Sequence, residues 1–259
     1  MMNRSNSYFD GQFQNYDNKK GNGWGMNWRA YMILRCDEIF SRLKEELQKR
    51  NSSGILEIGC ATGDFTKRYL PYAKEKKVNI LGIDISERAV EICRDIFVDE
   101  KCCSFEMGRL PELDERKKYD IILCMDVMEY FDIKERDECY KNICSCMNGE
   151  GCMLLQAPLS GEDVNQFVEQ ISKYFSVREI DYVYGQLWYE VAEVWLYKAV
   201  EALYFKNRTW PLYIIGLGAY KMMSSRSVVS FFFWLNRLLL PNKKSHIVLV
   251  CRHRKENNE

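Results

Sequence analysis

The segment Gly54-Ile-Leu-Glu-Ile-Gly-Cys-Ala-Thr-Gly-Asp64 leaves this chain few folds to choose from. Ile55, Leu56 and Ile58 make a short apolar run of the kind buried in a parallel sheet, and a glycine-punctuated turn follows at once. Gly59 lets the chain reverse sharply, and Gly63 lets a helix starting near Asp64 pack close to the strand. Strand, tight turn and helix N-terminus in that order cradle a nucleotide-like ligand. Dinucleotide sites use Gly-x-Gly-x-x-Gly, whose second glycine admits a pyrophosphate against the backbone. Here Ala61 takes that place and Asp64 stands where the third glycine belongs, so a methyl group and a carboxylate both oppose a pyrophosphate. Glu57, at the strand's end, suits a ligand carrying an ammonium group.

A second apolar strand, 78–84, ends in Asp84 about 25 residues after Gly59, the spacing of a β-α-β unit. A third, within Tyr119-Asp-Ile-Ile-Leu-Cys-Met-Asp-Val-Met-Glu-Tyr-Phe131, runs into an acidic residue and a short aromatic-bearing turn. Between them lies Phe105-Glu-Met-Gly-Arg-Leu-Pro111. Taken together, these pieces resemble the class I S-adenosylmethionine-dependent methyltransferases of the small-molecule type, whose first motif is an acidic residue, x, Gly, x, x, x, Gly. The resemblance covers about 51–185 and the final strand.

The resemblance implies a Rossmann-like α/β fold. Its sheet has seven mostly parallel strands in the order three-two-one-four-five-seven-six, the seventh antiparallel, with helices on both faces. It implies S-adenosylmethionine as cofactor, held by Glu57, Gly59, Cys60, Ala61, Gly63, Asp84, Ile85, Arg109, Leu110 and Met125. Asp84 would accept hydrogen bonds from both ribose hydroxyls. Gly108 is followed by Arg109 where the family often has an acidic residue near the adenine, a departure from the pattern. Asp126, Glu129 and Tyr130 fall beside the transferred methyl and are the candidate catalytic groups. The family fixes no one position for a base, and a solvated Glu129 and a packing Tyr130 are the structural alternative.

The rest of the chain fits such a core. Strands are expected near 54–58, 78–84, 103–107, 120–125, 151–157, 176–184 and 246–252, with helices at 87–97, 133–147 and 162–175. Residues 112–118 are too few and too charged for a full helix. Residues 26–49 carry Met32, Cys36, Ile39, Phe40, Leu43 and Leu47 on one stripe, an amphipathic cap helix over the sheet. Trp24, Trp28 and Arg29 then either touch ligand or serve as packing anchors and a solvated charge. The first twenty-odd residues and 255–259 read as mobile. The chain is thus one domain, 1–259: a cap at 1–50, a core at 51–185 and 246–255, and an insertion at 186–245. No apolar signal segment opens it, and its 11 cysteines fit a reducing cytoplasm. Cysteine spacing is poor for zinc and the only histidines are His246 and His253, so no metal is expected.

The insertion, about sixty residues where the family commonly has a short hairpin, is the unusual part. It leaves and re-enters at the sheet edge where open α/β sheets bind ligands, as lid, substrate pocket or docking surface. The chain has 37 basic and 37 acidic residues, yet no Asp or Glu falls between Glu201 and Glu256. Lys206, Arg208, Lys221, Arg226, Arg237, Lys243 and Lys244 all fall there. Two apolar runs within it, 210–223 and 228–240, are shorter than the roughly 18 residues that span a bilayer. Two readings stand equal: an interfacial surface over 206–244 facing anionic lipid, or a helical cap with solvated charges.

The expected protein is a cytoplasmic methyltransferase acting on an oxygen or nitrogen of a small or lipid-linked metabolite. It is either free or peripheral at the inner face of a membrane. The alternatives are a soluble enzyme whose insertion is only a lid, or a catalytically silent fold used for binding. Nucleic acid is disfavoured as substrate and none is expected as a partner: no Asn/Asp-Pro-Pro-aromatic motif is present, and the basic region is too apolar for a phosphate track.

Overall fold

The structure, a computed structural model, describes residues 6–17, 21, 24–50, 54–159, 163–206 and 209–254. Seven strands form one sheet: β1 (Gly54–Ile58), β2 (Asn79–Asp84), β3 (Cys103–Met107), β4 (Tyr119–Met125), β5 (Met147–Pro158), β6 (Phe175–Val183) and β7 (His246–His253). Their order is β3-β2-β1-β4-β5-β7-β6, as the resemblance implied. The ladders β1–β2, β2–β3, β1–β4 and β4–β5 are parallel. β1 therefore has β2 on one side and β4 on the other, and the crossovers leave it in opposite directions. That reversal opens a crevice at the carboxyl ends of β1 and β4. Ile55, Leu56, Ile121, Ile122, Leu154 and Leu155 are all buried, which is why these strands read as continuous apolar runs.

The flanking helices begin where side chains supply what the first turn lacks. α4 (Asp64–Glu75) follows Gly63; α5 (Glu87–Ile96) starts at Ser86, whose hydroxyl accepts from the Ala89 amide at 3.2 Å. α6 (Ile133–Cys146) opens on a reciprocal pair. There Asp132 accepts from the Glu135 amide and Glu135 accepts from the Asp132 amide, both at 2.9 Å. α7 (Val164–Ser172) lies within the expected 162–175, of which Glu162 is outside the described residues.

Two expectations for the first fifty residues need correction. The opening stretch contains a helix, α1 (Asn6–Phe13), that buries Phe9 and Phe13. The single helix expected over 26–49 is two: α2 (Ala30–Leu34) and α3 (Asp37–Gln48). The amides of Arg35 and Cys36 bond back to Tyr31 and Ile33 and close the first helix, while Asp37 and Glu38 favour a fresh N-terminus. In α3, Ile39, Leu43 and Leu47 form the buried stripe. Glu46, also buried, accepts two bonds from Arg252 at 2.7 Å, with Lys49 at 3.0 Å and Arg50 at 3.3 Å. Burial opposes its ionisation, but these cations prevail and hold its carboxyl below the usual range. A cavity of about 440 Å³ beside this cluster, lined also by Gly149, Arg178 and His253, lies by the start of β5 and the end of β7.

The chain divides into two compact units, one of 1–16, 39–181 and 247–259, the other of 17–38 and 182–246. The second is helical. Residues 186–205 form a stretch in which α8 (Gln186–Trp188) and α9 (Val194–Ala199) alternate with π-helical turns, Tyr189–Glu193 and Val200–Phe205. α10 (Leu212–Ser224) and α11 (Arg226–Leu239) follow, sharing Ser225 as the cap between them. A Cβ on Gly216 would stand 2.5 Å from the Tyr204 amide nitrogen, so only glycine lets α10 approach the last π turn so closely. Trp28, Tyr31, Trp188, Val200, Met223 and Val229 form this unit's own core. Buried Asn236 satisfies it locally, accepting from the Leu187 amide at 2.7 Å and donating to Lys243 and Leu240 carbonyls at 2.8 and 3.1 Å.

Candidate active site

The turn after β1 is built from residues in left-handed conformation, Gly59 (φ 73°), Ala61 (φ 47°) and Gly63 (φ 71°). A Cβ on Gly59 would lie 2.6 Å from Val127 Cγ2, and one on Gly63 2.5 Å from the Phe97 ring. Gly59 and Cys60 donate their amides to the Ile83 carbonyl at 2.8 and 3.0 Å, tying the turn to the end of β2. The tie is completed by Asp84. Its two carboxylate oxygens accept from the Ala61 amide and the Ser86 amide, each at 2.9 Å. Burial raises the Asp84 pKa, these backbone donors oppose the rise, and the Asp10 carboxylate adds to it. The Ile85 amide also opposes the rise, and the lone pairs these donors leave are what a ligand hydroxyl would meet.

Glu57 faces α4. Its Oε2 accepts from the Thr66 hydroxyl at 2.6 Å and the Tyr69 hydroxyl at 2.7 Å. Burial pushes its pKa up to about 7, the two hydroxyls resist, and the Asp84 charge adds to the rise. Cys60 is buried in the small cluster with Cys93, Phe97 and Phe105. The Cys93 thiol donates to the Ala61 carbonyl at 3.1 Å. Ile85 is half-buried just past β2.

On the other side of the crevice, Met125 closes β4 and Asp126 follows in the left-handed region (φ 53°). Aspartate tolerates that conformation better than most residues, and such outliers gather at functional sites. The Asp126 amide bonds to the Gln156 carbonyl at 2.9 Å, and a 3₁₀ turn, Met128–Tyr130, carries Glu129 and Tyr130. Buried Arg136 braces that turn by donating to the Met128 carbonyl at 2.9 Å. α1 reaches both sides. Asp10 accepts from the Ser86 hydroxyl at 2.5 Å, and the Phe9 ring meets Tyr130 edge-on at 5.1 Å.

Residues 56–153 match the family described as a methyltransferase domain. The core is a class I methyltransferase fold. The solved structure of the Bradyrhizobium japonicum N-methyltransferase NodS with S-adenosyl-L-homocysteine superposes with a TM-score of 0.57 at 17% identity, covering 68% of this chain and 88% of that one. Coclaurine N-methyltransferase bound to N-methylheliamine and S-adenosylhomocysteine gives 0.60 at 12% identity, over 96% and 86%. By sequence, the mitochondrial ubiquinone biosynthesis O-methyltransferase of Saccharomyces cerevisiae is 25% identical over 183 residues, 60% of this chain and 56% of that protein. The chain spans about half the length of the curated relatives it matches.

In the methyltransferase fold the remaining expected residues are placed as follows. Leu110 is buried beyond β3, while Arg109 is exposed and pairs with Glu112 at 3.3 Å. Trp24, Trp28 and Arg29 belong to the other unit. There Trp28 stacks on Tyr220 at 5.1 Å and is a packing anchor. Arg29 is buried rather than solvated, bonding Glu193 at 2.5 Å and lying over the Tyr197 ring at 4.6 Å. Sequence reasoning missed Asp10 and Phe9, whose only signal was two phenylalanines four apart in a polar stretch. It also missed Gln156, which pairs with Met125 in the β4–β5 register. Gln156 is buried, and among the described residues neither its amide oxygen nor its nitrogen has a hydrogen-bond partner. A glutamine interrupting the apolar run 152–157 was the clue.

Proposed function

We propose that the chain transfers a methyl group from S-adenosylmethionine to an oxygen or nitrogen of a small or lipid-linked acceptor. The observation that carries this is the Asp84-tied turn, in which the carboxylate ending β2 holds the Ala61 amide at 2.9 Å and Gly59, Ala61 and Gly63 all take left-handed backbone conformations. The donor set fits the cofactor. Asp84 offers carboxylate oxygens to ribose hydroxyls, and the amides opening α4 suit a carboxylate. Bound there, S-adenosylmethionine supplies an electrophilic methyl carbon on a sulfonium.

The chain's own residues then orient and enclose. Alignment of an acceptor with that carbon is worth roughly 7 to 11 kcal/mol, so positioning groups outweigh acid–base groups here. Phe9 and Tyr130 wall the crevice against water, and Asp126 or Glu129 takes the acceptor's proton. Arg109, paired outward with Glu112, contributes its backbone rather than its charge.

Calorimetry with S-adenosylmethionine tests the reading. The intact protein should bind, and Asp84→Asn, which keeps one acceptor and sets its NH2 against the other backbone amide, should bind about tenfold to a hundredfold more weakly while circular dichroism shows it folded, at some cost in unfolding temperature. Failure of the intact protein to bind would sink the proposal. Binding without transfer of a labelled methyl to any fraction of a metabolite pool would favour a silent binding module.

A further inference from the structure

The second unit has a complete core, yet it carries a second set of large apolar side chains that point outward. On α11, Val229 and Asn236 face inward, whereas Phe231, Trp234 and Leu238, spaced three and four apart, are 54%, 57% and 60% exposed. That spacing places them on one stripe, so α11 is apolar on two sides, and only one is needed for packing. α10 repeats the pattern, burying Gly216, Ala219 and Met223 while Leu212, Ile215 and Met222 are exposed. Trp195 and Trp210 are 71% and 72% exposed. Water-facing aromatic side chains in such number mark a surface that is covered in use.

Charge says by what. Lys221 and Arg226 bracket the α10–α11 corner and are exposed. Arg237 lies 5.6 Å over the Tyr184 ring and Lys244 3.3 Å over the Tyr182 ring, each cation held at an aromatic edge of the unit. No carboxylate occurs from 202 to 255, so a second copy would bring like charges together on this face. Tryptophan ring, aliphatic stripe and basic flank are the three parts of an interfacial helix, in which the rings and stripe enter the acyl boundary and the cations meet lipid phosphates.

We infer that α10, α11 and the flanking tryptophans dock this protein on an anionic phospholipid surface, with Trp210, Phe231, Trp234 and Leu238 entering the bilayer. Among the described residues no helix is long and apolar enough to cross a membrane. At about 1.5 Å per residue, the 13 and 14 residues of α10 and α11 reach about 20 Å each, short of the roughly 30 Å hydrocarbon core. The attachment is therefore monotopic. It does not depend on the methyltransferase reading, since vesicle binding is measured without cofactor or acceptor.

The test is cosedimentation of the full chain with phosphatidylcholine vesicles, with and without phosphatidylglycerol, beside the variant Phe231→Ser/Trp234→Ser/Leu238→Ser. These side chains lie outside the core, so the variant should keep its unfolding temperature. The intact protein should prefer anionic vesicles at least about tenfold, less so at high salt, with a blue shift of tryptophan emission. The triple variant should lose about tenfold or more in binding. Lys221→Glu/Arg226→Glu should lose the anionic preference. No binding by the intact protein, equal binding by the triple variant, or a dimer that the triple variant abolishes in place of vesicle binding would each overturn the inference.

Discussion

Glu57 is a carboxyl kept close to neutrality by burial, and that makes the fold pH-sensitive at one residue. Its folded pKa of about 7 stands above the ordinary 4.5. A raised carboxyl pKa means that the native state prefers the protonated form. The stability this group contributes is complete below about pH 4.5 and is lost as pH rises through about 7. The gap corresponds to about 3 kcal/mol. Glu57→Gln keeps an acceptor for Thr66 and Tyr69 and removes the charge. Denaturant titrations of the cofactor-free protein should therefore show the variant gaining on the wild type between pH 5 and pH 8 by up to about that amount. A constant difference across the range would mean that Glu57 is ionised in the native state. Gln156 is the opposite case, a buried amide whose oxygen and nitrogen have no partner among the described residues, and leaving such atoms unpaired costs about 1 to 3 kcal/mol. Gln156→Leu should leave stability equal or raised while lowering kcat/KM for the acceptor about tenfold or more, with cofactor affinity unchanged. Loss of stability and activity together would make it an ordinary structural amide.

Among the elements, α1 is the one whose removal should tell most. It contributes Asp10 to the Ser86 hydroxyl and Phe9 to the Tyr130 ring, so it joins the β2 side of the crevice to the β4 side. Asp10→Ala should loosen that roof, weakening cofactor binding about threefold to tenfold while changing overall stability by no more than about 1 kcal/mol. Unchanged affinity in calorimetry would show that α1 is only a packing helix. This element was illegible beforehand for a physical reason. Asn, Ser, Asp and Gly make up half of 6–13, their helix propensity is poor, and tertiary contacts through Phe9 and Phe13 supply what propensity lacks. The strands were legible because parallel strands buried on both faces are short apolar runs between turns, and all seven fall within a few residues of the expected spans. The break at Arg35 and Cys36 was hidden, since the apolar stripe runs through it with the same period.

For the molecule as a whole, the division into two units was the hardest feature to foresee, because 17–38 and 182–246 are far apart in sequence and share no motif. Trp28 on Tyr220, and Arg29 on Glu193 and Tyr197, are what join them, contacts that no periodicity encodes. The cradle was legible because its chemistry lies within one short segment and one strand end; Gln156 and Asp10 were not, since each acts through a distant partner. The charge pattern has a practical consequence at this scale. Formal net charge is zero and the isoelectric point about 6.8, so bulk titration describes a neutral molecule. Residues 202–255 nonetheless hold bases and no acid, and an ion exchanger responds to such a stretch rather than to the average. Near neutral pH the protein should be retained by sulfonate or heparin resins and carry polyanions through a low-salt purification, so its apparent purity and size will depend on the buffer.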